Sequence, residues 1–185
     1  MDIVVSVSKA AALPTPGCVP RTSNHRKAGF TMASLSVIQS SLADYFRSRV
    51  QKRVHELVQP LSSEQVWQRP FPYGNSIGNL ILHLTGNLNY YIGAQIGGTG
   101  YIRHRDLEFS DSGKPKDELL KAFDEAIQIT VATIEKQSDQ DWSAPYHAER
   151  ADASTEFAQI LACAGHAYHH IGQIIYLQRE LLRGR

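Results

Sequence analysis

The stretch TEFAQILACAGHAYHHIGQIIYLQRELL, residues 155–182, contains no proline and predicts one long helix near the C-terminus. Ser154 or Thr155 is suited to its N-cap. Within it, HAYHHIGQ at residues 166–173 places three histidines in five positions, in a chain that has only eight. These histidines are candidates for a metal site, for a catalytic base with helpers, or for a helix that merely carries imidazoles.

The spacing of two of these histidines suits a shared metal ion. On an α-helix His166 and His170 lie about 40 degrees apart on one face. Position 167 is Ala, so the glutamate of an HExxH metalloprotease is missing. Catalytic metals usually take three protein ligands. His83 is the best third candidate, because it lies in the middle of another predicted helix.

Both helices combine an apolar face with a stripe of histidines and amides. On the second helix Asn79, Asn87 and Tyr90 fall within about 40 degrees of His83. On the last helix His166, His170, Gln159 and Gln173 share one side, and the opposite side is apolar and consists of Phe157, Leu161, Ala164, Tyr168, Ile171 and Ile175. From spacing alone, histidines facing solvent and a metal-free histidine base both stay open.

The spacing of apolar residues along the chain predicts an all-α four-helix bundle, with helices over residues 35–58, 77–95, 116–137 and 155–182. No segment shows the alternation and β-rich content of a strand. Ser62 and Gln65 fit a capping box for a short turn. Residues 98–115 show no helical period, and we expect them to form a long loop after the second helix.

Composition narrows the class of protein. The 19 basic and 18 acidic residues nearly cancel, so nothing favours nucleic acid as a partner. No apolar run is long enough for a membrane span, which argues against a membrane protein. Two cysteines, Cys18 and Cys163, imply no disulfide framework and fit a reducing cytoplasm. We expect Cys163 to be a core residue, although a thiolate near His166 stays open.

The chain is expected to hold one domain, over residues 32–185. Residues 1–31 are rich in proline and lack a helical period, and their charges follow the apolar portion instead of preceding it as in a secretory signal. We interpret them as a disordered extension or an over-long start.

The motifs GHAYHHIGQII, GNLILHLTGNLNYYI and IRHRDLEF together resemble the DinB-like or YfiT-like superfamily of small metal-binding helical bundles, over about residues 33–182. The sequences of these motifs are most similar to those of uncharacterised members. The resemblance implies a bundle with up-down-down-up wiring, frequent homodimers, and a divalent metal held by His83, His166 and His170. Zinc is the first expectation, with nickel, manganese and iron open, since imidazole suits several of these metals.

The resemblance also implies thiol transfer to a small-molecule electrophile, with bacillithiol, mycothiol or glutathione as nucleophile or cofactor. If the metal binds water instead of a thiol, hydrolysis is expected. Tyr90, His169 and Gln173 are then expected to position or protonate the reacting group. Arg103 and Arg105 are expected to bind the carboxylates of such a thiol cofactor. A solvated, self-paired charge cluster with Asp106 and Glu108 is the alternative for these arginines. A non-enzymatic metal-binding or stress-related bundle with a structural metal is the alternative function.

Overall fold

The fold is taken from a computed structural model, which describes residues 32–148 and 153–183. These residues form helices and connecting loops without a strand, so the predicted all-α bundle is confirmed. The predicted extension at residues 1–31, with Cys18, lies outside the described residues. None of the described helices has both the length and the apolar character needed to cross a bilayer.

Four long helical segments make the bundle. The first joins α1 (Met32–Asp44), a π-helical stretch (Tyr45–Gln51) and α2 (Lys52–Val58), and the second joins α4 (Ile77–Leu88) to a π-helical stretch (Asn89–Ala94). The third is α6 (Lys116–Lys136) and the fourth is α8 (Glu156–Leu181). The four predicted helices therefore exist close to their expected bounds.

Three short helices complete the described fold: α3 (Ser63–Trp67), α5 (Arg105–Ser110) and α7 (Asp139–Ser143). The capping box predicted at Ser62 and Gln65 is present at the start of α3. The expectation of an unstructured loop over residues 98–115 was wrong in part, because α5 lies inside it. Six residues are too few to show a helical period in the sequence, so this helix gave no signal.

Helix α4 is central to the packing. Its apolar residues Ile77, Ile81, Leu84 and Leu88 are each at most 1% exposed and join the hydrophobic core with residues from the other long helices. Its polar stripe is also buried, because α5 and α8 both pack against α4. His83 therefore faces protein on the side where a surface helix would face water.

The buried face of α8 differs from the expected one. Its buried residues are Gln159, Ile160, Cys163, Ala164, Ala167, Ile171 and Ile174, whereas Leu161 and Tyr168 are 47% and 62% exposed. The buried arc is thus rotated towards the histidine stripe. The physical reason is that α8 packs against α4 partly through its histidine stripe. The edge of the apolar face that lies farthest from α4, with Leu161 and Tyr168, therefore turns towards solvent.

Candidate metal centre

Two helices bring the histidines into place. Helix α4 begins at a full capping box, in which the Ser76 hydroxyl accepts from the Asn79 backbone N–H and the Asn79 side chain faces the Ser76 backbone N–H. His83 follows one turn later on the same face. His166 and His170 lie one turn apart on α8, which packs against α4. His83 is 6% exposed, and the two α8 histidines are partly buried.

The three imidazoles converge through the same ring atom. Nε2 of His166 lies 3.0 Å from Nε2 of His83 and 3.0 Å from Nε2 of His170. One ligand atom from each histidine lies within 4.8 Å of the other two, so the set can hold a metal ion. The prediction that His83 and the α8 pair come together from separate helices is confirmed.

The second nitrogen of His83 is fixed by a carboxylate. Nδ1 of His83 lies 2.7 Å from Oε2 of Glu108, and both side chains are nearly fully buried. Arg103 donates to the same carboxylate from Nε at 2.6 Å and from Nη2 at 2.8 Å. Burial opposes ionisation of Glu108, but the hydrogen bonds from His83 and Arg103 outweigh it and lower the pKa of the carboxyl.

Helix α5 is held against α4 so that Glu108 reaches His83. Asn79 donates from Nδ2 to the backbone carbonyls of Glu108 and Asp111, at 3.2 and 2.9 Å. Gly86 lies where a Cβ atom would collide with the Glu108 carboxylate. A glycine on α4 thus provides the space for the carboxylate, and an amide on α4 secures its backbone.

His170 is anchored on its other side by an amide. Nδ1 of His170 lies 2.7 Å from Oε1 of Gln173, and Nε2 of Gln173 lies 3.2 Å from Nε2 of His169. With Oε1 as acceptor, Gln173 holds His170 as the tautomer that carries hydrogen on Nδ1. Gln173 therefore orients His170, a candidate metal ligand, and connects His169 to it through a second contact.

The outer nitrogen of His166 differs from those of His83 and His170. Its Nδ1 is buried and has no hydrogen-bond partner among the described residues, as is also true of Oδ1 of Asn87, one turn beyond His83 on α4. Burial, together with the nearby His170 and His83, lowers the pKa of His166 to about 4. Burial likewise lowers the pKa of His170. These surroundings favour neutral imidazoles, which is the form that binds metal.

The hydrogen-bond pattern fits a cation between the rings. When His83 and His170 are neutral and donate from Nδ1 to the oxygens of Glu108 and Gln173, each Nε2 carries a lone pair. Lone pairs from separate rings that point at one another within about 3 Å repel unless a hydrogen or a cation lies between them. Three converging imidazoles, two of them anchored at the outer nitrogen, form a donor set of the kind found in zinc and other transition-metal sites.

The other predicted residues have varied positions. Tyr90 lies in the π-helical stretch with its ring edge-on to Tyr91, so its role at the metal stays a prediction. Arg105 is exposed, with its guanidinium carbon 5.1 Å from the Phe109 ring centroid, and Phe109 in turn packs on the His83 ring. Cys163 is 2% exposed, and burial raises its pKa to about 12, so the core interpretation is confirmed.

The sequence did not indicate a role for Glu108 beyond the alternative of a solvated, self-paired charge cluster. Arg103 and Glu108 do pair with each other, but their side chains are 9% and 7% exposed, so the expected solvation was wrong. A signal existed in the motif IRHRDLEF, which carries the pair. The spacing of its charges does not show which of them turn inward.

Comparison with known proteins identifies a family and a structure of similar fold. The profile of a family described as "Protein of unknown function (DUF1572)" matches residues 34–184. The chain belongs to the DUF1572 family. The fold of this DUF1572 protein is similar to that of a crystal structure described as the conserved protein of a locus from Enterococcus faecalis. The TM-score is 0.62 and the identity 16%, over 80% of this chain and 96% of the other. The curated proteins include no match.

Proposed function

We propose that this DUF1572 protein is a metal-dependent enzyme that activates a thiol or a water molecule against a small electrophile. The observation that supports it most directly is the convergence of three Nε2 atoms from His83, His166 and His170. A divalent ion on three neutral imidazoles keeps its full charge and open positions, and so lowers the pKa of a thiol or water. Zinc is the metal proposed first.

The residues around the ligands supply the remaining requirements of such a site. Glu108 and Gln173 fix the rings of His83 and His170, so the ligands are oriented before anything binds. His169 is exposed and bonded to Gln173, which suits it to accept or return a proton at the open side. Tyr90 is proposed for the same task.

A low-molecular-weight thiol such as bacillithiol, mycothiol or glutathione is the proposed nucleophile. Of the two arginines suggested for its carboxylates, Arg105 is the better placed, because it is exposed whereas Arg103 already donates twice to Glu108. A homodimer is proposed from the resemblance to the DinB-like superfamily. A reducing cytoplasm is proposed because the two cysteines imply no disulfide framework.

The proposal is tested by metal analysis followed by a thiol-consumption assay. Purified protein is loaded with zinc and assayed with a panel of thiols and chlorodinitrobenzene or monochlorobimane. His83→Ala is the test variant. His55→Ala is the matched control, because His55 pairs with Asp124 outside the metal centre. We expect turnover in the wild type and in His55→Ala. Equal thiol loss with His83→Ala would contradict transfer to these electrophiles.

A structural metal without turnover is the second candidate function. It is favoured by the fact that His83 and the pair His166 and His170 come from different helices, so a bound ion would cross-link α4 to α8. This function predicts a marked loss of thermal stability on chelation, with no thiol consumption under any condition. An unchanged melting temperature with chelator would count against it.

A further inference from the structure

A groove of about 490 Å³ lies beside the metal centre, between the segment at residues 71–75, the start of α4 and the C-terminal half of α8. Its size falls within the range of small-molecule pockets. Leu80 and Leu177 line it together with aromatic side chains. None of its lining residues, all within the described part of the chain, is Asp, Glu, Lys or Arg, so the groove suits an uncharged ligand.

Three aromatic rings form one wall of the groove. The Phe71 ring lies nearly parallel to Tyr73 and to Tyr176, at interplanar angles of 15° and 21° and with centroids 5.8 Å apart in both pairs. Tyr73 and Tyr176 are 77% and 65% exposed, so these rings keep much of their surface in water. The two exposed rings of this nearly parallel row, those of Tyr73 and Tyr176, offer faces on which a flat aromatic molecule can stack.

The α8 side of the groove is continuous with the histidine cluster. Along α8 the groove is lined by His169, Gly172 and Gln173. Gln173 accepts a hydrogen bond from His170, a candidate metal ligand. A Cβ atom at Gly172 would meet nothing within 4 Å, so the α8 backbone is open to the groove at this point. Glycine inside a helix is unfavourable by itself, and here it leaves room for a ligand.

We infer that this groove binds the planar, uncharged aromatic body of the substrate, with the polar end of the molecule at His169 and Gln173. The binding of the aromatic body requires only the groove. Its connection with catalysis rests on the proposed function, because the electrophilic atom must then lie at the end of the groove nearest His170.

The test uses 2-naphthol as the probe and the full-length protein, with binding followed by NMR chemical-shift titration. We expect saturable binding with and without a chelator, since the groove does not depend on the metal. Tyr176→Ala should weaken it by about tenfold through the lost stacking. Gly172→Leu should weaken it by at least about tenfold by filling the groove.

Matched comparisons separate this result from general effects. Gly165→Leu places the same side chain in open space elsewhere on α8, outside the groove residues, and should leave 2-naphthol affinity unchanged. Cyclohexylmethanol and 2-naphthoate should bind less well than 2-naphthol, because one lacks the aromatic face and the other carries a charge.

The inference is overturned if 2-naphthol fails to bind, if Gly165→Leu and Gly172→Leu weaken binding equally, or if 2-naphthoate binds best. It is also overturned if light scattering shows a dimer that Tyr176→Ala dissociates, because a second copy would then cover the groove. Failure of the proposed enzyme would appear separately, as missing metal or missing turnover in a protein that still binds 2-naphthol.

Discussion

Nδ1 of His83 lies 2.7 Å from Oε2 of Glu108, a residue 25 positions further along the chain. This contact orients the imidazole and leaves its Nε2 facing the corresponding atom of His166 at 3.0 Å. A carboxylate behind a histidine fixes the tautomer and raises the basicity of the nitrogen that binds the metal. Glu108 thus contacts both Arg103, with which it forms a buried ion pair, and His83 of the histidine cluster.

Glu108→Ala is expected to lower zinc affinity by about 10- to 100-fold, the usual cost of losing an outer partner of a ligand. Glu108→Gln should retain more affinity, since its amide oxygen can still accept the hydrogen of His83 Nδ1. Glu118→Ala removes an exposed glutamate of α6 and serves as the control. Isothermal titration of the metal-free protein measures the effect. Unchanged affinity in Glu108→Ala would contradict the role of this carboxylate.

The same pair predicts a stability effect that is independent of metal. Removing Glu108 leaves the buried Arg103 guanidinium without its carboxylate, and such a loss typically costs about 3–5 kcal/mol. Urea unfolding of metal-free Glu108→Ala should show this decrease in the free energy of unfolding. The double variant with Arg103→Met should recover part of it, because no uncompensated charge remains. A double variant less stable than both single variants would argue against the pairing.

Gly86→Ala is expected to destabilise the protein by about 1–3 kcal/mol, because the new methyl group would collide with the Glu108 carboxylate. Zinc affinity should fall with it as Glu108 moves. Gly165→Ala on α8 is the matched control, since its methyl group enters open space and should raise stability by up to about 1 kcal/mol. Thermal unfolding compares the two variants. A neutral Gly86→Ala would show that the carboxylate does not need this space.

Cys163 is expected to be unreactive in the folded protein. Burial raises its pKa to about 12, so at pH 8 the thiol stays protonated and the nucleophilic thiolate is scarce. In a Cys18→Ser background it is the remaining cysteine of the chain, and its reaction with Ellman's reagent can be timed. Labelling should be slow in buffer and fast in denaturant. Labelling in buffer as fast as for a free cysteine would contradict burial of the thiol.

The sequence carried enough information to identify the three histidines that converge. His166 and His170 are one turn apart on a single helix, and this geometry depends only on local periodicity. His83 could be added because its helix carries a second polar stripe, with Asn79 and Asn87 on the same face. Local capping was equally readable, as shown by the capping box at Ser62 and Gln65.

Features that depend on tertiary packing could not be predicted in this way. Glu108 reaches His83 only because the segment after α4 folds back as α5 and is secured by Asn79, which no local pattern specifies. The orientation of α8 had a similar cause. Leu161 and Tyr168 look like core residues by composition, yet they are exposed because the neighbouring helices cover the adjacent arc. Partners across the bundle decide such positions.

The most direct test of the central claim is a crystal structure of the zinc-loaded protein with anomalous diffraction data collected at the zinc absorption edge. Zinc bound by the three histidines should give one anomalous peak that lies about 2.0–2.1 Å from Nε2 of His83, His166 and His170. Glu108 and Gln173 should keep their contacts with the outer nitrogens of His83 and His170. Absence of a peak at the three Nε2 atoms, or a zinc ion bound without His83, would contradict a metal site formed by these three histidines.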